Sequence, residues 1–118
     1  MSRLFVIYLL AYLMSFVPKN TLGQNTDVMV ELGVNAYQKN DFGKAHLLFK
    51  KAIKIDSSTL KLQFYYGLTL LKLHDYNDAK YYLKKVVQKD PSGRIFPEAS
   101  YYMGVLYKLD HEYDKAIK

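Results

Sequence analysis

The 118-residue sequence contains no cysteine. This absence excludes disulfide bonds, cysteine metal sites, a thiol nucleophile and a lipid-modified cysteine at an export site. It leaves the redox compartment open, because a cysteine-free protein is compatible with either environment. The N-terminal apolar run, from Leu4 to Val17, holds 14 residues, whereas a membrane-spanning helix needs about 20.

The sequence also lacks the motifs that carry catalysis. No Gly-rich phosphate loop, paired carboxylate site or Ser-His-Asp arrangement can be assembled from it. Its three histidines, His46, His74 and His111, are predicted on a helix surface and in turns, with no further ligand at a set spacing. The sequence therefore predicts no catalytic residue, no cofactor and no metal site, and a protein that is not an enzyme.

The charge of the chain is mildly basic, with a formal net charge of +6 at pH 7. Lysines cluster between Lys50 and Lys89, where they favour solubility and a weak attraction to anionic surfaces. A solvated basic face explains them, so nucleic acid is not predicted as a partner. Membrane contact is expected only through the N-terminal segment or through this weak attraction.

The first 23 residues have the layout of a secretory signal peptide. Arg3 precedes the apolar run, and Pro18 ends it. Thr21 and Gly23 then offer small residues at a cleavage site before Gln24. We therefore expect residues 1–23 to be a signal peptide and the mature protein to be exported, periplasmic or associated with the envelope. An uncleaved segment that anchors the protein is the alternative.

The remaining sequence repeats itself at a fixed period. Three glycines each precede an alanine by 12 residues: Gly33 and Ala45, Gly67 and Ala79, Gly104 and Ala116. The first two copies are 34 residues apart, and the third follows after 37 residues. The extra residues fall between Pro91 and Pro97, where a longer loop costs little.

Helical periodicity accompanies the repeat. It predicts an all-α chain with helices at about 27–39, 42–55, 60–73, 76–89 and 97–109, and a sixth beginning near Tyr113. Asp41, Asp75 and Glu112 stand before second helices, where an acidic side chain can cap the helix. Glycine and alanine at the repeated positions let two helices approach closely.

These spacings resemble those of the tetratricopeptide repeat (TPR) family over residues 26–118. Repeat 1 would span 26–59, repeat 2 would span 60–93, and a truncated repeat 3 would span 97–118. The aromatic residue usual near the start of each repeat is missing, since Met29, Gln63 and Ser100 stand there. The resemblance implies an α-solenoid of antiparallel helix pairs, a superhelix of about two and a half repeats.

In TPR proteins the first helix of each repeat lines a concave groove that binds other proteins. The resemblance puts an aromatic and aliphatic set of residues in this groove, namely Val30, Val34, Tyr37, Phe64, Tyr65, Leu68, Leu71, Tyr101, Tyr102 and Val105. Val30, Val34, Tyr65 and Tyr102 replace the polar residues of the family's carboxylate clamp, which argues against chaperone-type peptide binding. An apolar helix or an extended peptide would suit such a groove.

Two functions remain open at this point. The first is a scaffold or adaptor of the bacterial cell envelope that binds a partner peptide or helix. The second is that these repeats lead a larger envelope protein, for example a peptidoglycan-binding or outer-membrane-associated one, whose activity lies in its C-terminal part. The incomplete third repeat also suggests self-association through its open end, with a second copy covering it.

Overall fold

The computed structural model describes residues 2–15 and 25–117, with side chains for residues 2–13 and 25–112. These residues form six α-helices and no strand: α1 (Ser2–Ser15), α2 (Thr26–Gln38), α3 (Phe42–Ile55), α4 (Leu60–Lys72), α5 (Tyr76–Lys89) and α6 (Glu98–Ile117). The all-α prediction is confirmed, and α2 to α5 lie within a residue of their predicted bounds. None of the helices in these ranges is both long and apolar enough to cross a membrane.

The helix starts follow from local capping. The Asn25 side chain accepts a hydrogen bond from the Asp27 amide at 3.0 Å, and Asp41 accepts one from the Lys44 amide at 3.2 Å. Such bonds satisfy amides that the first turn of a helix leaves without partners. Asp75 begins α5 without a side-chain cap, so the predicted capping role is confirmed for Asp41 alone.

Helices α2 to α5 pack as two similar antiparallel pairs. In the first pair, Tyr37 contacts Phe42 beside the turn, and Gly33 lies against Phe49 farther from the turn. In the second pair, Gly67 lies against Leu83. Both glycines are buried, and a side chain at either would collide with its neighbour. The predicted role of these glycines in close helix approach is therefore confirmed.

The turns inside the two pairs are also alike. Asn40 and His74, 34 residues apart, adopt left-handed backbone conformations with φ of 62° and 63°. In each turn the following aspartate amide donates to a carbonyl five residues back: Asp41 to Ala36 and Asp75 to Leu70. Equivalent positions therefore share their geometry, which is compatible with a helical repeat.

The core runs along the stack and centres on α4, which contacts α2, α3, α5 and α6. Eight residues of α4 are buried, including the polar Gln63 and Thr69. Thr69 donates to the Tyr65 carbonyl at 2.7 Å, while Gln63 donates to the Ser57 carbonyl and accepts from Lys89. Among the side chains described, no buried polar atom is left without a hydrogen bond, as the cost of burying such groups requires.

Helix α6 differs from the prediction at its C-terminal end. A turn was expected near residues 110–112, but α6 continues as one helix to Ile117. His111 lies within it, although its repeat position is that of Asn40 and His74. A left-handed backbone costs about 1–2 kcal/mol, and packing of the following helix offsets that cost at the two earlier turns. At residue 111 no described helix covers Gly104, so no such packing offsets the cost of a left-handed turn there.

The backbone of α1 does not approach that of the other five helices. Its side chains from Ser2 to Leu13 are all exposed, and most of them are apolar. Residues 4–15 of the predicted signal peptide's apolar run are thus helical, whereas the end of that run and the predicted cleavage site at residues 21–24 lie outside the described residues.

Candidate functional site: the tyrosine cleft

Five of the ten predicted groove residues lie together at one cleft. It has a volume of about 250 Å³ and is lined by Tyr37, Gln38, Phe64, Tyr65, Leu68, Glu98 and Tyr102. We call this the tyrosine cleft. Its residues come from α2, α4 and α6, which are the first helices of the three sequence repeats. The helices predicted to share a groove therefore do form a common surface.

The other predicted groove residues lie elsewhere. Val30 and Val34 are buried in the core, as are Phe64 and Leu68 beneath the cleft, with 4–7% of each residue exposed. Leu71 and Val105 are partly buried outside the cleft, and Tyr101 is 69% exposed beside it. Tyr37, Tyr65 and Tyr102 are partly buried, so they have both anchoring contacts and accessible surface. The accessible part of the predicted groove is therefore mainly tyrosine.

Edge-to-face aromatic contacts hold the cleft together. The rings of Tyr37 and Tyr65 have centroids 5.8 Å apart with planes at 72°, and those of Phe64 and Tyr65 are 5.2 Å apart at 78°. Such pairs contribute about 0.5–1.5 kcal/mol beyond the area they bury. The geometry fixes the orientation of the rings before any ligand arrives, which lowers the entropy cost of binding.

The hydroxyl group of Tyr37 stays protonated at neutral pH. Burial raises the pKa of Tyr37 above its usual value, and the neighbouring Tyr102 and Tyr65 hydroxyls raise it further. A tyrosine hydroxyl can donate one hydrogen bond and accept others. Glu98 and Gln38 add polar groups at the rim. The cleft thus offers aromatic faces together with hydrogen-bonding groups, a combination common in protein interfaces.

One residue of the cleft region was not predicted from the sequence. Phe96 stacks on Phe64 with centroids 4.4 Å apart and planes at 21°, and it meets Tyr65 edge-on at 6.4 Å. It belongs to the segment between Pro91 and Pro97 that lengthens the interval between the second and third repeats. An aromatic residue inside the insertion was the available signal, whereas the sequence pattern predicted only a longer loop there.

Asp90 positions Phe96. Its carboxylate accepts hydrogen bonds from the amides of Arg94, Ile95 and Phe96 at 3.1, 3.0 and 2.8 Å. The hydrogen bond from the Phe96 amide is the main cause that lowers the pKa of Asp90, and the Ile95 and Arg94 amides and the Arg94 charge lower it further. Burial of the carboxylate raises the pKa and opposes this effect. Gly93 supplies the left-handed turn, with φ of 66°. The segment is therefore a folded loop that directs an aromatic ring toward α4.

The histidines form no common site. His46 faces Tyr66 with 3.5 Å between its Nε2 and the tyrosine hydroxyl, and Nδ1 of His74 lies 2.8 Å from the Tyr76 hydroxyl. His111 is exposed on α6. Within the described residues, no group of three or more histidine, aspartate or glutamate side chains could hold a metal ion.

A second cleft lies between α5 and α6. It has a volume of about 470 Å³ and is lined by Lys84, Val87, Gln88, Ser100, Met103, Gly104 and Tyr107. We call this the glycine cleft, because Gly104 is exposed in it and no atom lies within 4 Å of the place a Cβ would take there. Of its residues, the repeat pattern had pointed to Gly104 and Ser100.

Comparison with known proteins does not name a family. The chain matches no model of a known protein family, and no curated protein matches it at a significant level. The resemblance to TPR proteins thus stays a prediction from the sequence.

Proposed function

We propose that the chain is an exported adaptor with TPR-type repeats that binds a segment of another protein in the tyrosine cleft. The convergence of Tyr37, Tyr65 and Tyr102 from three helices on one surface is the observation that carries this proposal. The proposal assigns no catalysis, cofactor or metal to the chain. The ligand would be an extended peptide or short helix with an apolar side chain for the aromatic faces and polar groups for the hydroxyls.

The TPR part of the proposal rests on the equivalence of positions 34 residues apart. Gly33 and Gly67 make equivalent helix contacts, and Asn40 and His74 form equivalent turns. The two glycines were identified in the sequence by spacing alone. A TPR-type solenoid accounts for both the spacing and the contacts.

The export part of the proposal rests on α1. An exposed apolar helix whose backbone lies away from the other helices suits a signal segment, because none of its described residues belongs to the core formed by α2 to α6. Cell fractionation with intact-mass measurement tests this point. We expect a chain that begins at Gln24 in the exported fraction, and an unprocessed chain in the cytoplasm would refute export.

Peptide selection tests the binding function directly. Peptides from a random phage-displayed library would be selected on the full chain, and their affinities for variants measured by calorimetry. We expect Tyr102→Ala to weaken the selected peptides at least about tenfold, or about 1.4 kcal/mol, because Tyr102 lines the cleft. The adjacent Tyr101 is exposed outside it, so Tyr101→Ala is the matched control and should bind like the original chain.

Two outcomes would overturn the binding proposal. One is a failure to select any peptide that is sensitive to Tyr102→Ala. The other is an equal effect of Tyr101→Ala, which would place binding on the outer face of α6.

A further inference from the structure

The tyrosine cleft places one charged group beside its aromatic rings. Of the residues that line it, Glu98 alone is charged, and it is exposed. The ion pairs found among the side chains of residues 25–112 do not involve Glu98. Its carboxylate therefore has no cationic partner within the described part of the chain.

The rings of the cleft meet at steep angles. Tyr37 and Tyr65 are inclined at 72° to each other, and Phe64 and Tyr65 at 78°. The face of an aromatic ring carries a partial negative charge and attracts a cation held within about 6 Å of the ring centroid. Rings that meet at such angles can contact one cation from more than one side.

The chain places its own lysines over tyrosine rings elsewhere, but not at the tyrosine cleft. The Nζ of Lys80 lies 5.1 Å from the centroid of the Tyr107 ring, and that of Lys85 lies 4.3 Å from the centroid of the Tyr81 ring. Among the side chains described, no lysine or arginine takes such a position at a tyrosine of the cleft. These rings are therefore available to a cation from another molecule.

The lysines on the neighbouring parts of α2 and α4 leave the charge of Glu98 in place. Lys61 pairs with Glu31 of α2. Lys39 and Lys72, at the C-terminal ends of α2 and α4, are exposed and do not line the cleft. The charge of the lining is thus negative, and it favours a cation over an anion.

The loop between α5 and α6 brings the carboxylate to the rings. Asp90 accepts the amide hydrogen bonds that fold this loop, and Phe96 stacks on Phe64. Glu98 follows two residues later as the first residue of α6. One folded segment therefore positions both an aromatic ring against α4 and a carboxylate at the rim of the cleft.

We propose that the tyrosine cleft binds an arginine side chain of the partner segment. The methylene groups of the arginine contact the aromatic rings, and its guanidinium stacks on a tyrosine and donates hydrogen bonds to the Glu98 carboxylate. Arginine suits this site better than lysine, because a guanidinium is planar, stacks on aromatic rings and can pair with a carboxylate through two N–H groups. This ligand chemistry rests on the protein-binding function proposed for the same cleft.

The peptides selected on the full chain from the random library test the charge of the ligand. We expect arginine to be enriched at one position among the peptides that Tyr102→Ala weakens. Replacing that arginine with citrulline keeps the shape of the side chain but removes its positive charge. Calorimetry should then show a dissociation constant raised at least about tenfold.

A Glu98→Gln variant tests which group of the cleft pairs with the arginine. We expect it to weaken the arginine peptide at least about tenfold and the citrulline peptide much less, because only the cation loses a charge partner. Glu31→Gln removes another exposed carboxylate, on α2 and outside the cleft. It is the matched control and should bind both peptides like the original chain. Circular dichroism should show the same helicity for both variants.

Two results would overturn the arginine site while leaving the protein-binding function in place. One is a set of peptides that Tyr102→Ala weakens but that show no enriched arginine. The other is an arginine peptide whose affinity is unchanged by citrulline or by Glu98→Gln. If no selected peptide is weakened by Tyr102→Ala, the binding function itself is wrong, and the arginine site with it.

Discussion

Three glycines at one repeat position have different surroundings. A Cβ at residue 67 would lie 2.7 Å from Cγ of Leu83, which is fully buried and cannot move aside. At residue 104 the same atom would meet nothing within 4 Å. The contrast shows that a repeated residue serves helix packing only where the facing helix is present.

This contrast predicts opposite effects of one substitution on stability. Gly67→Ala should lower the free energy of unfolding by about 1–3 kcal/mol, the usual cost of overpacking. Gly104→Ala should raise it by up to about 1 kcal/mol, because alanine favours the helix over glycine. Urea unfolding followed by circular dichroism measures both. A loss of stability in Gly104→Ala would contradict an open glycine cleft.

Asp90 gives the fold a dependence on acid pH. Its carboxylate accepts three amide hydrogen bonds, chiefly that of Phe96, which hold the pKa of Asp90 below its usual value. A lowered pKa in the folded state means that its stabilising effect is complete above the pKa of the unfolded chain. The effect is lost as pH falls through the pKa of the folded state.

We therefore expect Asp90→Asn to be less stable than the original chain at neutral pH. The difference should shrink as pH falls below about 4, the usual pKa of an aspartate in the unfolded chain, and through the lower pKa of the folded Asp90. Asp78 is the internal contrast, because repulsion from Asp75 raises the pKa of Asp78. Asp78→Asn should instead stabilise the chain at neutral pH. Melting temperatures across this pH range measure both variants, and parallel curves for Asp90→Asn and the original chain would contradict the role of the carboxylate.

At the scale of the helices, sequence patterns predicted the parts that local chemistry determines. The bounds of α2 to α5 follow from apolar periodicity and from turn residues such as Asn40 and Asp41. The glycine contacts also followed from spacing, because residues 34 positions apart occupy equivalent positions in successive helix pairs. These features need only nearby sequence and the repeat itself.

The elements that were missed depend on contacts distant in sequence. His111 would adopt a turn only if a following helix packed on Gly104, so its local sequence does not decide whether α6 ends there. The loop from Pro91 to Pro97 has the length of a spacer, but the Asp90 carboxylate folds it and brings Phe96 onto Phe64. Because of that loop, the tyrosine cleft could be predicted only in part.

Across the whole molecule, packing passes from one helix to the next. Contacts join α2 with α3, α3 with α4, α4 with α5 and α5 with α6, while α4 also contacts α2 and α6. A stack of this kind responds to damage mainly near the damaged contact, because each unit interacts only with its neighbours. Its ends should therefore open separately, with α4 as the most protected helix.

Two matched core truncations test this local response. Phe49 and Leu83 are both fully buried, and each covers a glycine of the preceding helix. Phe49→Ala should cost about 3–5 kcal/mol and Leu83→Ala about 2–5 kcal/mol. Hydrogen exchange measured by mass spectrometry should then become faster mainly in α2 and α3 for Phe49→Ala, and mainly in α5 and α6 for Leu83→Ala. Equal acceleration of exchange in all helices of both variants would contradict this local response. It would mean that the contacts of α4 with α2, α3, α5 and α6 couple the two helix pairs into one cooperative unfolding unit.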